Sequence, residues 1–145
     1  MTEKSSTKPP VWFWIASVIA LLWNGMGVNM YLQQAYDTES FKAMYTAEQL
    51  EMAYNTPSWV TAGFALAVFT GLLGSVGLLL RKKWAKSLFL LSLVGAVSSN
   101  VYHLFMSEAI ELYGAEAIVM PTVVIVIGIF LIWFSKKGIA KNWLL

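Results

Sequence analysis

The stretch LLLRKKWAKSLF, residues 78–89, sets Arg81, Lys82, Lys83 and Lys86 between two apolar runs. Such a knot cannot sit in hydrocarbon, where one cation at a helix centre costs about 2.5–3.5 kcal/mol on insertion scales. The flanking runs are long enough to cross a bilayer, so the stretch reads as the basic tip of a helical hairpin. Cations in short loops stay on the cytoplasmic side. Placing this tip there assigns a side to every other segment.

Composition agrees with a membrane chain. Of 145 residues, 58% are hydrophobic and only 12% charged, too few charges to cover a soluble domain. The mean hydropathy is +0.63. Several spans of roughly 20 residues leave no room for a second domain. Cysteine is absent, which removes disulfides, thiolate metal sites and thiol redox chemistry. The cations lie in short blocks against apolar segments, which argues against a nucleic-acid surface.

Four spans are expected, at about 11–33, 58–80, 84–106 and 116–135, forming one all-α membrane domain. The first begins after Pro9-Pro10, with Trp12 and Trp14 as interfacial anchors, and is too long for the core of a cleaved signal peptide. Residues 35–57 form the longest loop. Asp37, Glu39, Glu48 and Glu51 against the single Lys42 place it outside. Thr46-Ala47-Glu48-Gln49 has the spacing of a capping box, so a short helix is expected to about Tyr54, with another before it near Glu39 to Tyr45. Phe41, Met44, Tyr45, Leu50 and Tyr54 suit these helices to the membrane surface or to the bundle mouth. Thr56-Pro57 reads as a cap and first-position proline for the second span.

In that span Gly63, Ala67, Gly71 and Ser75 recur every fourth residue, and Gly74 and Gly77 widen the strip. This pattern lets a neighbouring backbone come close, a helix-packing reading. In the third span Ser92, Gly95, Ala96, Ser99 and His103 share a face. Glu108, Glu111 and Glu116 follow as an outer connection. The fourth span needs to start near Ala115 to Ala117, because residues 121–134 give only about 21 Å of helix against a core of roughly 30 Å. Pro121 then lies inside the span and frees a carbonyl near Ala117. Inside fall Lys4, Lys8, Arg81, Lys82, Lys83, Lys86, Lys136, Lys137 and Lys141; outside falls Lys42. Only four crossings with both termini cytoplasmic satisfy all of these, and Trp143 is expected as a late interfacial anchor.

No Asp, Glu, Lys or Arg is expected within the hydrocarbon. That disfavours a small multidrug exporter, which exchanges protons on a carboxylate in its first span. Claudin-like and thiol-redox four-span proteins require cysteines. What the spans hold is uncharged polarity toward the outer side: Asn24 and Asn29 on the first, with Gln33 and Gln34, Thr61 on the second, Asn100 and His103 on the third, Thr122 on the fourth. If these faces converge they make a neutral pocket suited to hydroxylated or amphipathic molecules. Equally, such side chains serve as interhelical hydrogen bonds. A single His cannot supply both axial ligands of a haem within one chain. No cofactor, metal site or catalytic constellation is expected, and the chain reads as a non-enzyme.

The segments PPVWFWIAS, ALLWNGMGV, YLQQAY, TPSWVTAGFALAVF, LLLRKKWAKSLF and AIELYGAEAIVMPTVVIVI together resemble a family of small four-span bacterial inner-membrane proteins whose members are often labelled sugar transporters. The resemblance runs from Pro9 to about Trp143. It implies a bacterial inner-membrane location and a cargo in keeping with an uncharged pocket; it carries no binding residue over. Two functional expectations follow. One is the binding or carrying of a small neutral solute or lipid, by a homodimer or a larger assembly, since four helices enclose little lumen. The other is a non-transporting accessory subunit that uses its outer-loop helices as a partner surface.

Overall fold

A computed structural model of the chain describes residues 8–106 and 116–145. The described residues are all-α: α1 (Val11–Tyr36), α2 (Glu39–Ala43), α3 (Ala47–Tyr54), α4 (Ser58–Leu79), α5 (Trp84–Val101), a π-helical turn Tyr102–Met106, and α6 (Glu116–Ala140). Four of these helices, α1, α4, α5 with its π-helical turn, and α6, are long and apolar enough to span a membrane. The acidic connection holding Glu108 and Glu111 lies outside the described residues, as do Glu3 and Lys4. α6 extends five residues past the expected end of the fourth span, carrying Lys136 and Lys137 in its last turns.

The helices form an arc in the order α1, α4, α5, α6, with the tightest backbone approach between α4 and α5. Lipid tails are as apolar as leucine, so close packing rather than apolar burial must hold such helices together. The four-residue strip of α4 does this. Gly63, Ala67, Gly71 and Ser75 are all buried. A Cβ added at Gly95 of α5 would stand 2.5 Å from the Gly63 carbonyl oxygen and 2.9 Å from the Ala67 nitrogen. Backbone therefore meets backbone. Ser92 adds an interhelical hydrogen bond, its Oγ donating to the Ala67 carbonyl at 2.6 Å.

At Gly71 a third helix joins. The carboxamide of Asn24, from α1, fills the space a side chain would take, and a Cβ there would also come within 3.1 Å of Ser92 Oγ. Asn24 Nδ2 donates to Ser75 Oγ at 3.2 Å and to the Ala20 carbonyl at 2.9 Å. One small-residue face thus serves α1 and α5 together. α6 packs on α5 instead and reaches α1 through side chains at the basic end. There Phe13 and Phe134 rings lie 5.4 Å apart, and Trp12 and Phe134 rings 5.5 Å apart.

The chain terminus seals that end. α6 stops with Asn142 left-handed (φ 60), and the Trp143 amide returns to the Gly138 carbonyl at 2.8 Å. This is the reversal normally given to glycine or asparagine. α4 stops the same way with Arg81 at φ 58 and the Lys82 amide on the Gly77 carbonyl at 2.8 Å. The two reversals dock together: Arg81 Nε donates to the Trp143 carbonyl at 2.8 Å, and the Leu145 amide to the Arg81 carbonyl at 2.9 Å. Trp143 is therefore no late interfacial anchor. It is 6% exposed, wedged edge-on against Trp12 and Phe13. Trp12 itself is half-exposed and carries the Lys137 ammonium 5.4 Å from its ring centre.

At the opposite end the loop helices form as their sequence requires. Thr46 and Gln49 make the reciprocal capping box at 3.2 and 3.1 Å. Thr38 caps α2 through the Phe41 amide at 3.1 Å. Thr56, in contrast, is not the cap of α4. Its hydroxyl turns back to the Met52 carbonyl at 3.0 Å, satisfying the end of α3, and α4 begins from the Pro57 carbonyl.

The packing makes a paired prediction for thermal unfolding in detergent micelles. Gly95→Ala forces two backbones apart and lowers stability by about 1–3 kcal/mol, as overpacking does. Gly25→Ala meets nothing within 4 Å and should be neutral or gain up to about 1 kcal/mol from helix propensity.

Candidate functional site

Because α4 holds α1 and α5 while α6 packs on α5 and meets α1 at the basic end, the arc does not close above its aromatic base. The space it leaves is a cavity of about 570 Å³. At roughly 30 Å³ per water that is room for about 19 waters, or a ligand of comparable bulk. The floor is Phe89, Leu131 and Ile127. The walls bring Trp23, Met30, Phe64, Val68 and Leu93, and α2–α3 contribute Phe41, Tyr45 and Met52 from above. The loop helices therefore lie over the bundle mouth, with Phe41 turned in and 4% exposed while Met44 and Tyr54 face out.

Asn24, Thr61, Asn100 and His103 all line this one cavity, together with Gln34, Ser92 and Ser99. Asn29 does not join them: it sits exposed on α1, outside the lining. Thr122 is likewise exposed, its hydroxyl donating to the Ile118 carbonyl at 2.7 Å, although its neighbour Pro121 is a lining residue. Both fall on helix positions turned away from the arc, a rotation that depth along the chain does not reveal. The four methionines of the lining, Met26, Met30, Met52 and Met120, escape a search for polar groups. Their spacing on α1, residues 26 and 30 after Trp23, is the helical signal that could have found them.

The two asparagines differ in what they are tied to. Asn24 uses Nδ2 between helices, as described above. No donor among the described residues reaches its Oδ1. No enclosed polar side-chain atom among those residues lacks a partner, so this oxygen is reached from the cavity. The Asn100 carboxamide bonds to no described residue at all. Neither do the side-chain groups of Thr61, Ser99 and Gln34. Among the described lining residues there is no Asp, Glu, Lys or Arg. The cavity therefore offers donors and acceptors without charge, set in a mostly apolar and aromatic wall. That combination suits neutral molecules with a few hydroxyls. No group of His, Cys, Asp and Glu among the described residues could hold a metal ion.

The charged groups of the outer loop act on the roof instead. Asp37, left-handed at φ 50, ends α1 and accepts from the Tyr54 hydroxyl at 2.8 Å while its other oxygen lies 3.6 Å from Lys42 Nζ. Asp37, and after it Glu39, hold the Lys42 ammonium above its ordinary pKa of 10.5. The hydrogen bond to Asp37 pushes the Tyr54 phenol above 10.0.

Comparison with protein-family models, curated proteins and solved structures finds no match to this chain.

Two outcomes are expected. Asn24→Leu removes an interhelical bond and strains the Gly71 notch, lowering stability by about 1 kcal/mol, whereas Asn100→Leu leaves the unliganded melting temperature unchanged. Both roof groups have raised pKa values, so the stability they give is complete below their ordinary values and is lost only as pH rises past them. Tyrosinate absorbance, with Tyr54→Phe as the blank, should show Tyr54 ionising at lower pH in Asp37→Ala than in the parent chain.

Proposed function

We propose that this chain is a bacterial inner-membrane protein that binds a small neutral or amphipathic molecule in the cavity between its four spanning helices, and carries it as a homodimer. The observation behind this reading is the described lining: uncharged donors and acceptors at Asn100, Thr61 and Gln34 that bond to no described residue, beside an aromatic and methionine wall with no Asp, Glu, Lys or Arg among the described residues. Amides in a purely structural role would be paired across helices, as Asn24 Nδ2 is. The resemblance to proteins labelled as sugar transporters agrees with a neutral, hydroxylated ligand.

The orientation follows from charge. With the Arg81–Lys86 turn and the chain terminus in the cytoplasm, the cavity sits in the outer half, beneath α2 and α3. The cysteine-free chain makes this readily tested. In intact cells a membrane-impermeant maleimide should label Ser40→Cys and leave Ser87→Cys unlabelled; the reverse pattern inverts the assignment.

The accessory reading draws on Tyr36, Met44 and Tyr54, which expose 78%, 50% and 56% of their surface at the acidic end. A partner there would meet these residues and not Phe41, which faces the cavity. Disrupting Met44 and Tyr54 should then release a co-purifying protein and leave ligand binding intact.

For the first reading, the test is thermal stability in micelles across a panel of polyols, alkyl glycosides, monoacylglycerols and charged amphiphiles. A neutral member should raise the melting temperature of the parent chain, and Asn100→Leu should abolish that rise. A flat panel, or equal shifts in both proteins, refutes it.

A further inference from the structure

Of the residues lining the cavity, two stand mostly in the open: Met26 at 63% and Met120 at 54% exposed. All the others are buried or half-buried. Met26 is on α1 and Met120 on α6, the two ends of the arc, so the cavity's opening lies between those helices. Among the described residues, α2 and α3 stand over the bundle at the end beyond the opening, with Phe41 buried. Met26 lies ten residues before the end of α1, about 15 Å down the helix axis. The surface around it is apolar as well, with Leu22 62% exposed on α1 and Val119 55% exposed on α6. An opening at that depth, with that rim, faces hydrocarbon.

We propose that the ligand is a neutral, hydroxyl-bearing membrane amphiphile that enters sideways from the bilayer between α1 and α6. This rests on the binding function above and narrows its substrate class. The chemistry of the walls fits such a molecule at both ends. An alkyl chain finds Phe89, Leu93 and Leu131 in the interior, and methionine at the rim supplies an unbranched, adaptable surface over which chains of varied shape can slide. A hydroxylated head finds the unpaired Asn100 carboxamide and Thr61 hydroxyl. A free sugar would leave most of the apolar wall unmatched, and would need a path through hydrocarbon or past the roof. An anionic lipid would bring a charge for which the described lining has no Lys or Arg.

The test uses the full chain in phosphatidylcholine nanodiscs with a diazirine-tagged monoacylglycerol as probe. Photoadducts should map to cavity residues and fall severalfold with excess monoolein. Methyl glucoside and lysophosphatidic acid should not compete. Bridging Met26→Cys to Met120→Cys with a cleavable bismaleimide should cut cavity labelling severalfold, and cleavage should restore it; the restoration shows that the bridged protein stayed folded. Competition by methyl glucoside, with labelling indifferent to the bridge, overturns sideways admission and the amphiphile while leaving a neutral-solute site intact. Competition by lysophosphatidic acid overturns the neutrality of the head. Adducts confined to lipid-facing residues, with no competition by any of the three, overturn both this inference and the binding function.

Discussion

The close approach at Gly71 governs the rest of the molecule. Removing one Cβ there lets the Asn24 carboxamide of α1 and the Ser92 hydroxyl of α5 meet on the same face of α4. In water such a contact would be one of many, but in a bilayer there is no apolar driving force to bring helices together, and packing has to supply it. A helix whose small residues fall on one face can hold two neighbours tightly. It has no comparable surface left for a third. α6 must therefore attach to α5, and the arc stays open on the side between α1 and α6. The cavity is a consequence of how α4 allots its small residues.

A bundle open along its length would gain little from its fourth helix. The basic end prevents this by two chain reversals locked to each other. Arg81 is spared the hydrocarbon by sitting beyond α4, yet its guanidinium is used inward, on the Trp143 carbonyl. The terminal segment that results brings Trp143 and Leu144 into the aromatic base beneath Phe13 and Phe134. The same basic turn thus also holds the chain end against the bundle. Closing one end firmly while leaving the other apart sets the cavity's depth.

Much of this was legible from charge and spacing alone. The Arg81–Lys86 block, the strip Gly63–Ala67–Gly71–Ser75 and the Thr46–Gln49 capping box each carry a local physical rule, and local rules survive folding. The polar side chains fared unevenly for a stated reason. Asn24, Thr61, Asn100 and His103 meet at one cavity, while Asn29 and Thr122 point elsewhere, because depth in the membrane can be counted along the sequence but helix rotation about its axis cannot. Trp143 was misread for a similar reason. An aromatic near the end of a span is normally an anchor at the interface, and only the left-handed Asn142 beside it hints that the chain turns back.

The division of labour between the two asparagines carries the functional argument one step further. Asn24 is held by Ala20 and Ser75, so its amide is part of the scaffold, and only its oxygen is turned to the cavity. Asn100 is tied to nothing described and stands near the π-helical turn Tyr102–Met106, the kind of widened turn that recurs at functional sites. A structural amide would be paired across helices; this one is half-buried at the cavity wall, where leucine would cost no interhelical bond. In the binding function proposed above, its partner is the ligand. The described lining matches a partner that is uncharged, largely apolar, and able to give and accept a hydrogen bond at one end.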